Sequence, residues 1–276
     1  MAFFRAQDGT RLHYTDEGNG TPILCLSGLT RNSEDFSYVT PHLPACRLIK
    51  LDYRGRGLSE WPEDYMTYSV PVEMGDAIAL LDHLGIAQAG ILGTSRGGLI
   101  AMAMAVAAPD RLRGAALVDV GPELDLAGLG AIMGYLGQPP QWTTHAEAAA
   151  ARASLMTGFD DVPPGRWMDE VRKLYKETAE GLVLTYDPRL RDAVIAAAEA
   201  MPEPPDMWPM FDALATKPLA CIRGANSDLL SRDTLDRMQT RAPDMIVAEV
   251  PGRAHVPFLD EPQSIAALKD WIGKLA

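Results

Sequence analysis

A mainly parallel α/β sheet interrupted by a helical excursion is the fold class this sequence predicts. Three observations predict it. Up to Gly121, short apolar runs alternate with segments whose apolar residues recur at helical spacing. That rhythm lapses from about Pro122 to Met207 and then resumes with two more apolar runs. A stretch so long between strands is implausible as bare loop, so it should contain helices of its own.

Each element has its own warrant. "RLHYTDEG" alternates as a strand does and ends at a Gly-Asn-Gly turn. "PILCLSG" is a short continuous apolar run closed by glycine, the form of a strand buried on both faces, and "CRLIKLDYRGRG" repeats it. "VEMGDAIALLDHLG" has helical spacing and a terminal Gly85 suited to a helix end. "AQAGILG" is the next strand, "LIAMAMAVAAPDRL" the next helix and "RGAALVDVG" a further strand. The interruption reads as helices joined by proline-rich loops such as "QPPQW", "DVPPGRW" and "MPEPPDMW". Strands return with "PLACIRG" and "MIVAEVPG", and "SIAALKDWIGKL" is a final amphipathic helix. The predicted division is a core of 1–121 and 208–276 with an inserted helical cap over 122–207.

The totals exclude some functions. A chain of 276 residues with 47% apolar and 22% charged residues is an ordinary globular composition with ample core. A net charge of −12 repels phosphate backbones, so no nucleic-acid partner is expected. Cys25, Cys46 and Cys221 lie in or beside strand-like runs and are odd in number, which points to buried reduced thiols and a cytoplasmic protein. The start "MAFFRAQDGTRLHY" lacks the apolar stretch of a signal peptide, and no membrane association is expected.

The residue that raises a chemical question is Ser95, in "ILGTSRGGLIAM". It sits at a strand–helix junction with Gly93 and Gly97 on either side, the pattern of a tight turn that presents a nucleophile. A serine hydroxyl needs a base. Of five histidines, His13, His42, His83 and His145 fall where packing or surface roles suffice. His255, in the loop "PGRAHVPF" after a strand, should stand at the same sheet edge as Ser95. The acid that orients it is expected to be Asp228 in "ANSD", because this gives the order serine, acid, histidine. Asp119 in "ALVDVG" also ends a strand and is the competitor; nothing in the composition separates the two. The oxyanion hole should use the backbone N–H groups of Leu29 and Arg96.

Together, "LSGLTRN", "LDYRGRGLS", "GTSRGG", "GANSD" and "GRAH" resemble the landmarks of the α/β-hydrolase fold superfamily, in particular bacterial carboxylesterase-like serine hydrolases with a helical cap. The resemblance implies a mostly parallel eight-stranded sheet with helices on both faces. It also implies Ser95 as nucleophile, Asp228 as acid and His255 as base. Serine at position 95 argues against the dehalogenase and epoxide-hydrolase branches, which need a carboxylate nucleophile. Two positions depart from many members: Ser27-Gly28 stands where His-Gly is usual, and Arg96 replaces an uncharged residue. Arg96 is expected either to pair with a nearby carboxylate or to recognise an anionic substrate group.

The expected reaction is acyl transfer to Ser95 from a small-molecule carboxylic ester of small to medium size, then hydrolysis. No metal and no cofactor is called for, and a monomer or homodimer is expected. Trp142, Met133, Tyr135 and Trp167, with Trp208 at the distal edge, suggest an apolar pocket between cap and core. The same triad would serve a carbon–carbon bond hydrolase acting on a ring-cleavage product, a lactonase, or a perhydrolase side activity. A non-catalytic ligand receptor on the same fold is the alternative from another class.

Overall fold

Strand β1 (Ala2–Arg5) opens the sheet at its edge and turns back into β2 (Arg11–Gly18), after which β3 (Thr21–Leu26) and β4 (Cys46–Leu51) follow. The computed structural model describes residues 2–201, 203 and 205–275. Helix α1 (Val70–His83) leads to β5 (Ala89–Thr94), α2 (Arg96–Ala107) and β6 (Leu112–Val118). The excursion then carries α3 (Leu126–Tyr135), α4 (His145–Leu155), α5 (Pro164–Leu174), the hairpin β7 (Tyr175–Thr178) and β8 (Gly181–Leu184), and α6 (Leu190–Ala200). The chain returns through α7 (Trp208–Leu214) to β9 (Leu219–Gly224), α8 (Arg232–Arg241), β10 (Ile246–Val250) and α9 (Pro262–Gly273).

Eight strands make one sheet in the order β1-β2-β4-β3-β5-β6-β9-β10. β2 runs antiparallel to both of its neighbours, and the other pairings are parallel. The predicted eight-stranded, mostly parallel sheet is therefore the observed one. Successive residues of the central strands feed opposite layers: Leu24 and Ile91 pack on the α1–α2 side, and Ile23 and Leu92 on the α9 side. Each such side chain stabilises the fold by about 1.5–3 kcal/mol when wholly buried. This two-sided burial is why these strands read as unbroken apolar runs. The three cysteines are buried and free.

Three elements lie outside the sequence reading. β1 is only "AFFR". The β7–β8 hairpin sits in a region expected to be helix and loop. The polar helix α8 buries little besides Leu235 and Met238 among its apolar residues. Trp208 also differs from expectation: it packs with Phe211 and Leu214 of α7 in the core beneath the sheet, not in a pocket. Among the described residues, no helix is long and apolar enough to cross a membrane.

Candidate active site

The sheet order places the ends of β5, β6, β9 and β10 side by side, and the polar residues of interest follow those ends. Ser95 follows β5 with φ 50° and ψ −110°, a conformation an L residue adopts only under strain, on the order of 1–3 kcal/mol. Its N–H is held by the Val118 carbonyl of the neighbouring strand at 2.9 Å. The turn is possible because Gly93 and Gly97 leave room: a Cβ on Gly93 would lie 2.6 Å from the Gly97 carbonyl, and one on Gly97 would overlap the Leu26 carbonyl oxygen. Those are steric reasons for the glycine spacing.

His255 follows β10, and its Nε2 lies 3.1 Å from Ser95 Oγ. Its Nδ1 is 2.7 Å from Asp119 Oδ2. The expectation that Asp228 would hold the imidazole is overturned here. Asp119 immediately follows β6, the direct neighbour of β5, and its positive φ of 55° accompanies a carboxylate turned toward His255. Asp228 lies four residues past the end of β9 on an exposed loop, where its carbonyl accepts the Gly128 N–H at the start of α3. The β9 loop contributes in another way. Asp119 is fully buried, and it accepts the Gly224 N–H at 2.8 Å on Oδ1 and the Ser227 hydroxyl at 2.6 Å on Oδ2. Ser227 Oγ in turn accepts the Leu229 and Leu230 N–H groups at 3.2 and 3.1 Å.

The loop after β3 is drawn against the serine turn by Ser27, whose carbonyl accepts the Gly97 N–H and the Tyr53 hydroxyl, both at 3.1 Å. Gly28 lies beside the serine turn, where a Cβ would stand 3.9 Å from Ser95 Cβ and 3.3 Å from Arg31 Cγ. Among the described residues, the N–H groups of Leu29 and Arg96 donate to no protein acceptor, which leaves both free for a ligand oxygen. Behind them runs a buried ionic row absent from the sequence reading. Arg56 Nε donates to the Leu29 carbonyl at 3.0 Å, Arg56 pairs with Glu73 at 2.8 Å, and Glu73 pairs with Arg96 at 2.7 Å. Arg96 thus takes the carboxylate-paired role of its two expectations, and its side chain is not among those lining the cleft. Burial opposes ionisation of Glu73, but the two arginines hold its carboxyl below the usual range. In "DYRGRG", Arg54 clamps Asp76 through two 2.7 Å bonds while Arg56 secures the serine side of the cleft. The visible signal was Glu73 and Asp76 three residues apart on one helix, on a face otherwise buried.

Two adjoining cavities meet at His255, and Ser95 lines the smaller of them. The inner one, about 110 Å³, is lined by Gly28, Leu29, Ser95, Trp167, His255 and Phe258. The outer one, about 700 Å³, is lined by Tyr135, Trp142, Arg152, Met156, Tyr175 and His255 among others, a size ordinary for a small-molecule site. Trp142, Tyr135 and Trp167 therefore lie where a pocket was expected. Met133 does not: it packs with Leu136 and Tyr186 in a satellite cluster. Of the remaining histidines, His13 pairs with Asp52 at 2.8 Å, His145 pairs with Glu177 at 2.9 Å, and His83 stacks on Phe4. Among the described residues no group of three His, Cys, Asp or Glu side chains is placed to hold a metal ion.

Comparison with known proteins places the chain in a family of known fold. The family described as alpha/beta hydrolase fold matches residues 21–161. The chain is 34% identical to a 3-hydroxybutyrate-oligomer hydrolase of Cupriavidus necator, over 91% of this chain and 88% of the relative. It is 28% identical to haloalkane dehalogenase 2 of Mycobacterium tuberculosis, over 93% of this chain and 89% of the relative. A crystal structure of an alpha/beta hydrolase from Novosphingobium aromaticivorans superimposes with a TM-score of 0.90 at 37% identity, covering 99% of this chain and 97% of that one.

Proposed function

The chain belongs to the α/β-hydrolase fold family, and from that premise we propose that it is a serine hydrolase of carboxylic esters whose triad is Ser95, His255 and Asp119. The observation that carries this reading is the continuous row Ser95 Oγ–His255 Nε2 at 3.1 Å and His255 Nδ1–Asp119 Oδ2 at 2.7 Å. A carboxylate on Nδ1 fixes the tautomer that leaves Nε2 free to take the serine proton. Ser95 Oγ attacks the ester carbonyl while its proton passes to Nε2. The tetrahedral oxyanion takes the N–H groups of Leu29 and Arg96. His255 then protonates the departing alkoxide. Water, activated by the same imidazole, hydrolyses the acyl-enzyme. Preorganised N–H donors of this kind are worth about a hundredfold or more each.

Segment 122–207 serves as the cap, and its aromatic and methionine side chains make the outer cavity a site for a small to medium ester. The 3-hydroxybutyrate-oligomer hydrolase relative, matched over nine-tenths of this chain, supports ester cleavage over the other reactions available to the fold. Arg96 is committed to Glu73, so it lends no support to a carbon–carbon hydrolase or lactonase. The test is a fluorophosphonate probe followed by peptide mass spectrometry. Labelling of Ser95, lost in Ser95→Ala together with turnover of 4-nitrophenyl butyrate, is expected. Ester hydrolysis retained by Ser95→Ala would overturn the reading.

A further inference from the structure

Two guanidinium groups line the cleft, and they are in opposite states. Arg31 is paired with two carboxylates: it makes a fork on Asp35, with bonds of 2.7 and 2.6 Å, and a third bond to Glu170 at 2.6 Å. Lys173 shares Glu170 at 3.1 Å. Arg152, on α4, lines both cavities, yet among the described residues no carboxylate lies within ion-pair distance of it. Its Nε is shielded from solvent and donates to nothing. Arg31 and Lys173 are thus paired with Asp35 and Glu170, whereas Arg152 makes no ion pair among the described residues. Asp228 lines the outer cavity but makes no ion pair with Arg152.

A half-buried cation without a partner costs stability, so packing gives no reason for it. Burial, and then the nearby Arg31 charge, push the Arg152 pKa below the usual guanidinium value. An incoming anion would relieve both penalties. Arginine presents a planar fork of donors that matches a carboxylate in two places. Because Arg152 and Ser95 line the same inner cavity, one small molecule can span them. We propose that Arg152 binds a free carboxylate of the substrate, so that the enzyme acts on esters carrying an anionic group a few bonds from the scissile carbonyl. This rests on the ester-hydrolase reading above.

The experiment compares wild type, Arg152→Met and Arg152→Lys on two matched pairs of esters. 4-Nitrophenyl hemiglutarate against 4-nitrophenyl butyrate places the carboxylate in the acyl part. 3-Acetoxybutanoate against 3-acetoxybutanamide places it in the alcohol part. In at least one pair wild type favours the charged member. The charged-to-neutral ratio of kcat/KM then falls about 10- to 100-fold in Arg152→Met, chiefly through KM, and recovers in part in Arg152→Lys. No preference in either pair, or a preference that Arg152→Met retains, overturns the proposal. Binding of glutarate to Ser95→Ala, and to Ser95→Ala with Arg152→Met, is measured by calorimetry alongside. If wild type hydrolyses none of the four esters, the ester reading fails on its own. Arg152-dependent glutarate binding then upholds the carboxylate site, and its absence removes that site as well.

Discussion

Replacing Asp119 with asparagine and, separately, Asp228 with asparagine decides which carboxylate serves His255. Asp119 accepts three hydrogen bonds, from Gly224 N–H, Ser227 Oγ and His255 Nδ1. An amide has a single acceptor oxygen to offer them. With that oxygen toward Gly224, the amide NH2 faces Nδ1, which must then lose its hydrogen; the proton moves to Nε2, and Ser95 has no base. With the oxygen turned toward His255, the NH2 opposes the Gly224 N–H in a fully buried site, at a cost of about 1–3 kcal/mol. The first arrangement keeps the buried Gly224 N–H paired and gives up only the bond from the half-buried Ser227 hydroxyl, so it is the favoured one, and it is inactive. A loss of about 10³- to 10⁴-fold in kcat follows for Asp119→Asn, equivalent to about 4–5 kcal/mol in the barrier. Asp228 is exposed and its carboxylate makes no hydrogen bond to His255, so Asp228→Asn should stay within about threefold of wild type. The assay is steady-state turnover of 4-nitrophenyl butyrate, with thermal melting to establish that both variants are folded. A collapse in Asp228→Asn beside near-normal turnover in Asp119→Asn would refute the reasoning.

Further outcomes follow from the same geometry. Gly97→Ala should yield little folded or labelled enzyme, because the added methyl overlaps the Leu26 carbonyl; normal probe labelling of Ser95 in that variant would contradict the account of the turn. Glu73→Gln removes the charge between two buried arginines and should lower stability by about 3–5 kcal/mol, read by urea unfolding. A near-zero change would mean the ionic row does not tie the two N–H donors together. Burial works against ionisation of Glu170, but Arg31, Lys173 and Arg152 prevail and hold its carboxyl at about 2, below its ordinary 4.5. A depressed carboxylate adds stability above its unfolded pKa and loses it as pH falls through the folded one. The stability gap between wild type and Glu170→Gln should therefore be full above about pH 4.5 and narrow toward pH 2. A gap that stays constant over that window in urea titrations would count against this assignment.

Much of the sheet was legible because its central strands are buried on both faces and so appear as bare apolar runs, as in "PILCL" and "AGILG". "AFFR" and "YKET" escaped notice since four residues carry too little periodicity to separate strand from loop. Helix α8 escaped because two apolar side chains three apart suffice to seat it while the rest of its surface stays polar. Ser95 and His255 were legible from the glycine turn and from a strand end. The acid was not, since Asp119 and Asp228 both fall between them in sequence and both follow strands. What separates them is lateral: β6 lies beside β5, and the Asp119 backbone turns its carboxylate under the imidazole. Arg152 was hidden inside "HAEAAAARASL", which reads as a plain surface helix. Its significance is a missing partner, and a sequence cannot show that.

The hydroxyl of Ser227 has a single hydrogen, and its oxygen is already occupied by the amides of Leu229 and Leu230. That hydrogen goes to Asp119, and with Gly224 on the other oxygen the carboxylate is left to receive from the imidazole as well. The orientation of each proton along the row is thereby set from the neighbouring β9 loop, by main-chain groups that do not line the cleft. A loop without a reacting atom thus sets which way the serine's hydrogen must travel.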